Sequence, residues 1–162
     1  MRRLSFALIF LPALSFAGDE TFAIKFVNQK MQAYEEKLVS CEEIEDRRPS
    51  PEKEVMDELR KFDQDDVRRF LVATSSIALH NCTMPEVGDA SFILGSILES
   101  RVVGEDIKKY VADRQALIHA SSWGFYENLN AVPSDMRSGL AEYDYFKKPF
   151  DALKILDSLE FL

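Results

Sequence analysis

Cysteine, histidine, glycine and proline are all scarce in this chain: two, two, six and six in 162 residues. Each scarcity removes a class of function. A closed zinc site wants four ligands, and Cys41, Cys82, His80 and His119 are scattered rather than set at ligand spacing. There is no phosphate-binding glycine loop, no dinucleotide fingerprint, no GxSxG and no HExxH. The sequence therefore predicts no cofactor, no metal and no recognisable catalytic residue. Basic residues are also in the minority, 20 against 28 acidic, for a net charge of −8. That balance argues against nucleic acid or an anionic membrane as partner and suits solubility or a basic partner.

What is present begins with an export signal. Arg2 and Arg3 open the chain, an apolar run follows over residues 4–14, and Ser15 and Ala17 supply small residues at a cleavage site. The run is shorter than the roughly 18 to 20 residues of a spanning helix, so it reads as a signal peptide over 1–17 and not as a membrane anchor. The residues after Arg3 lack the rest of a twin-arginine pattern, which points to the general secretory route. The expected location is the periplasm of a Gram-negative cell, or outside the cell otherwise. Residues 18–162 are then of a size for one hydrophobic core and one domain.

Between the prolines the apolar residues recur at helical, not alternating, spacing. The expected fold is all-α, a single-domain bundle of about six to seven helices. The first, over about 21–46, sets Ile24, Val27, Met31, Tyr34, Leu38 and Cys41 on one stripe. Ser50 suits the N-cap of a short second helix, with Pro51 in its first turn. Asp63 to Asp66 open a third, whose inner face carries Val67, Phe70, Leu71, Thr74, Ile77, Ala78 and Cys82. Pro85 and Gly88 predict a break, followed by a central apolar helix through DASFILGSILES. The run EDIKKYVADRQALIHASSWGFYENL is the longest uninterrupted pattern, with Ile107, Val111, Leu117, Ile118 and Phe125 on or near one side. Two short helices close the chain, carrying Met136, Leu140 and Tyr143, then Phe150, Leu153, Leu156 and Leu159.

Cys82 sits at the end of the third helix and Cys41 near the end of the first. In an oxidising compartment two such residues pair, so a Cys41–Cys82 bridge is expected. A thiol nucleophile with His80 is disfavoured, because residues two apart on a helix point away from each other. Two further patterns are explained by capping. Ser50 to Lys53 spells SxxK without its companion motifs, and a calcium loop from Asp63 would need glycine where Arg68 stands and glutamate where Thr74 stands.

The candidate binding residues are Arg114, Trp123, Tyr126, Tyr143 and Tyr145. Arg114 falls on an apolar stripe, which makes it a guanidinium paired with a carboxylate, a snorkelling side chain or an anchor for an anion, in that order. The aromatic residues serve an interface if exposed and a core if not. The apolar C-terminal EFL is either the last turn of a packed helix or a segment offered to a partner.

Small size, export, acidity, a stapled bundle and missing catalytic motifs together predict a non-enzymatic envelope protein that binds another envelope protein, as an inhibitor, immunity factor, secretion accessory or chaperone. A carrier of an apolar ligand and a small enzyme with an unrecognised site are the alternatives. In outline the chain resembles the helical periplasmic immunity proteins of the type VI secretion system. The resemblance covers size, signal, the two cysteines and the Cys-x-x-Pro stretch from Cys82 to Pro85, and extends no further.

Overall fold

A computed structural model describes residues 17–119 and 122–161. The signal read over 1–17 thus lies outside the described residues except for Ala17, which opens the first helix. Seven α-helices follow one another: α1 (Ala17–Arg47), α2 (Lys53–Leu59), α3 (Gln64–Glu99), α4 (Glu105–His119), α5 (Ser122–Asn130), α6 (Ser134–Ala141) and α7 (Ala152–Ser158). A 3-10 turn, Asp144–Lys147, sits between α6 and α7. No strand occurs among the described residues. The fold is a single-domain helical bundle.

α3 is the axis of the bundle and packs against α1, α4 and α5. It runs unbroken through Pro85, where the sequence predicts a break. Proline removes a backbone donor and crowds the carbonyl four residues back. Packing on both sides outweighs that cost here. Cys82 is tied to α1 just before it, and Val87, Ala90 and Leu94 are buried just after it. The Thr83 hydroxyl donates to the His80 carbonyl at 2.9 Å, occupying one acceptor on the turn that precedes the proline. The long run after Gly104 is helical as α4 up to His119 and as α5 from Ser122, and 120–121 lie outside the described residues.

Across Pro85 the buried face of α3 changes sides. Val67, Phe70 and Leu71 face one core, and Val87, Ala90 and Leu94 face another. At 3.6 residues per turn, these two sets fall on nearly opposite sides of the helix. The first core joins α2, the first half of α3, α6, the 3-10 turn and α7, with Phe150, Leu59, Leu71, Met136 and Leu140 fully enclosed. The second joins α1, the second half of α3 and α4 through Val27, Leu94 and Val111. Lys30 Nζ bonds Asp89 Oδ2 at 2.8 Å across α1 and α3, and the Tyr110 hydroxyl bonds Asn28 Oδ1 across α4 and α1.

The Cys41–Cys82 disulfide lies between the two cores, with the Cα atoms 6.1 Å apart. Cys41 is fully buried on α1's inner stripe. Asp63 caps α3, its carboxylate accepting from Asp65 N at 2.8 Å. α2 starts later than expected: Glu52, not Ser50, holds the cap position, with no side-chain bond there. The preceding segment is held elsewhere, since Tyr145 Oη donates to the Pro49 carbonyl at 3.1 Å. Leu117 and Leu153, expected inside, are exposed; each stands about a quarter turn from its helix's buried stripe.

Of the C-terminal EFL, Glu160 and Phe161 dock, and Leu162 lies outside the described residues. Phe161 N bonds Leu156 O at 2.9 Å and Glu160 N bonds Asp157 O at 3.0 Å, the paired bonds of a Schellman cap. Glu160 occupies the left-handed position at φ 61°, where glycine is usual. The Phe161 carbonyl then accepts from Gln64 Nε2 at 3.0 Å and Arg68 Nε at 2.7 Å, fastening the tail to the start of α3.

Candidate functional site

Lys147, at the end of the 3-10 turn, lines three adjoining clefts of about 500, 350 and 220 Å³. The turn is positioned by aromatic packing. Phe146 meets Phe70 and Phe150 edge-on, with ring centroids 5.2 and 5.4 Å apart, and Tyr145 lies 5.6 Å from Phe150. Such contacts fix the backbone of a short segment that has little hydrogen bonding of its own. Lys147 is consequently presented at a fixed place, its Nζ on Asp144 Oδ1 at 2.6 Å. That bond holds the Asp144 carboxyl below its usual range, with the lysine charge adding to the effect.

The largest of these three clefts lies between the end of α1 and the turn, lined by Arg48, Val55, Tyr143, Tyr145 and Lys148 among others. Its polar groups are already engaged with each other. Arg48 stacks on the Tyr145 ring at 4.2 Å and donates to the carbonyls of Lys148 at 2.6 Å and Pro149 at 3.1 Å. Burial pushes the Tyr145 phenol above its usual range, Arg48 opposing and Asp151 adding. This cleft is a fastening between α1 and the turn as much as an opening.

The second cleft differs. Phe70, Leu129, Ala141 and Phe146 form its apolar walls, and Thr74, Asn81, Arg137 and Lys147 supply polar groups. Arg137 Nη1 donates to Asn130 Oδ1 at 3.0 Å, while its buried Nε has no acceptor within the protein. Thr74 Oγ1 is likewise buried and unbonded. Leaving such a group unsatisfied costs about 1–3 kcal/mol, more when it is charged. Other helical hydroxyls avoid that cost: those of Ser75, Ser76, Thr83, Ser96, Ser138 and Ser158 each bond a carbonyl three or four residues back. Thr74 does not.

The residues singled out from sequence are not brought together. Tyr143 and Tyr145 are half-buried at the first cleft, packed on the core around Phe150. Arg114 is half-buried on α4, its guanidinium 3.9 Å from the Tyr110 ring centroid, beside a shallow recess that also includes Gln32, Glu35 and Leu117. The guanidinium is thus a cation held over an aromatic face. Tyr126 on α5 is exposed. Trp123 belongs to α5, and its side chain lies outside the described residues. Thr74, Asn81, Arg137 and Lys147 were not among the sequence candidates. One signal pointed to Thr74 and none to the others: it is the lone hydroxyl on the inner face of α3's first half.

No group of three or more histidines, cysteines and carboxylates able to hold a metal occurs among the described residues. Among those residues, too, no helix is long and apolar enough to cross a membrane. No protein-family model, no curated protein and no solved structure matches the chain.

Proposed function

We propose that this is an exported protein that acts by binding another protein of the cell envelope, and that the Lys147 side of the molecule receives that partner. The observation that carries the reading is the convergence of three clefts on one short turn, in a chain that is otherwise acidic. Around these clefts Arg48, Arg137, Lys147 and Lys148 outnumber the acidic Glu52 and Asp144, beside the aromatic rings of Tyr143 and Tyr145. Arginine and tyrosine are residue types enriched where partners bind.

Other features support the same reading. A bridge between Cys41 and Cys82 suits an oxidising compartment outside the cytosol. A carrier would favour an enclosed apolar cavity, whereas these clefts are open and mixed in polarity. Among the described residues that line the Thr74 cleft there is no carboxylate, histidine or thiol, and its one lysine, Lys147, is engaged by Asp144, so its hydroxyl has no evident general base there. The acidic remainder of the surface serves solubility.

The test is site-specific photocrosslinking in the native cell envelope. A benzophenone amino acid at Ala141, on the rim of the Thr74 cleft, is expected to give one discrete crosslinked species. The same probe at Asp113, an exposed position on α4 beside the other core, should give none. Equal crosslinking from both positions, or none from Ala141, overturns the assignment of this side.

A further inference from the structure

We infer that the cleft between α3, α5 and α6 is a carboxylate-binding subsite, formed by Arg137 and Thr74 over the apolar walls of Phe70, Leu129 and Phe146. The inserted group, resting on the binding role proposed above, is then a single carboxylate carried on an apolar body.

Charge selects the sign of the ligand. Arg137 is a cation, and the one side-chain bond it makes among the described residues, to Asn130 Oδ1 at 3.0 Å, is to a neutral amide. Lys147 is neutralised in part by Asp144 at 2.6 Å, and no acidic residue is among the described residues that line the cleft. Among the described residues the guanidinium therefore has no ion-pair partner, and the apolar walls beside it shield part of it from water. An anion is the complementary occupant.

The donors select its shape. Asn130 fixes one arm of the guanidinium, leaving the buried Nε free to donate. Thr74 Oγ1 is the second buried group with no partner, and its failure to bond its own helix keeps the hydroxyl available. A carboxylate has two oxygens, one for each donor, and planar geometry suited to an arginine fork. Asn81 and Lys147 at the rim add further donors. A bare inorganic anion would leave the walls of Phe70, Leu129, Ala141 and Phe146 uncovered. A volume of about 350 Å³ is at the small end of ligand sites, enough for a compact apolar group behind the carboxylate. Two sources share this chemistry: the C-terminal residue of a partner chain, and a free fatty acid.

Titration of the oxidised protein, followed by amide chemical shifts, tests the assignment with four probes: N-acetylleucine, octanoate and the primary amide of each. Each acid that binds is expected to do so at least tenfold more tightly than its amide, shifting the resonances of Thr74 and Arg137. Preference for N-acetylleucine identifies a chain terminus as the source, and preference for octanoate a fatty acid. Arg137→Lys keeps the charge and removes the Nε donor, and should weaken the acid about tenfold. Thr74→Val keeps the shape, guards against misfolding of the arginine variant, and should weaken it several-fold. Amides that bind as well as acids, or both variants binding like the parent, overturn the carboxylate assignment. Loss of the acid preference with crosslinking from Ala141 intact overturns the ligand chemistry alone and leaves the binding role standing.

Discussion

Removing the disulfide should cost this protein a large part of its stability. The bridge closes a loop with a sequence separation of 41 residues, and the chain-entropy relation assigns such a closure about 4 kcal/mol. Domains of this class have only about 5–15 kcal/mol in total. The closed loop holds α2 and the first half of α3, which supply Val55, Met56, Leu59, Val67, Phe70 and Leu71 to the first core. Cys41 is anchored on α1, which serves the second core. Opening the bridge therefore frees one core to separate from the other in the unfolded ensemble. Replacing both cysteines with alanine avoids burying a new hydroxyl at position 41. At about 2–4 °C per kcal/mol for a chain near this length, the double variant should melt about 8–16 °C lower than the oxidised parent, measured by calorimetry at one pH and salt concentration. Alkylation of the unreduced, denatured parent should add no label by intact mass. A fall in melting temperature under about 3 °C, with the bridge verified in the parent, would refute the reasoning that the closure stabilises the fold through the unfolded state. Two alkyl labels on the parent would refute the bridge itself.

Two substitutions elsewhere test smaller effects. Glu45 is held above the usual carboxylate range, first by desolvation and then by Asp151, Asp46 and Glu42, with Lys154 opposing. A folded-state value raised above the unfolded one contributes stability below the unfolded value and loses it as pH rises through the folded one. Glu45→Gln should therefore raise the melting temperature at pH 7 and change it little at pH 4; an equal shift at both would rule out an ionisation effect. Glu160 holds the left-handed cap position of α7, a conformation costing about 1–2 kcal/mol for a residue with a Cβ. Glu160→Gly should relieve part of that and stabilise by up to about 1 kcal/mol in urea unfolding, whereas destabilisation would show that the glutamate side chain makes a compensating contact.

Helical periodicity was legible because each core needs a stripe, and a stripe is a local pattern. Val27, Met31 and Cys41 on α1, and Ile107, Val111 and Ile118 on α4, are buried as their spacing predicts. The bridge was legible for a different reason: two cysteines on inner helix faces, in a chain whose sequence reads as exported, leave few other outcomes. Pro85 shows where local reading stops. Its effect on a helix depends on what packs against the residues either side, and those contacts come from α1 and α4, distant in sequence. A helix that must serve two cores on opposite faces also has no single stripe along its length. α3 therefore reads as two helices when its periodicity is followed residue by residue.

The candidate cleft was illegible for a related reason. Its donors come from α3, α6 and the 3-10 turn, and nothing in the spacing of Thr74, Arg137 and Lys147 records their proximity. Among the aromatic candidates, Tyr145 is held against the core that positions the turn. Phe146 and Phe150 pack into the first core, and Tyr145 lies against them with its hydroxyl committed to Pro49. By fixing the 3-10 turn, these rings set the place of Lys147 while contributing little free surface themselves. The chemistry of this face accordingly falls to polar groups that the fold leaves unsatisfied. Thr74 and Arg137 are inconspicuous as letters. They stand out only once every neighbouring hydroxyl and guanidinium has been given its partner.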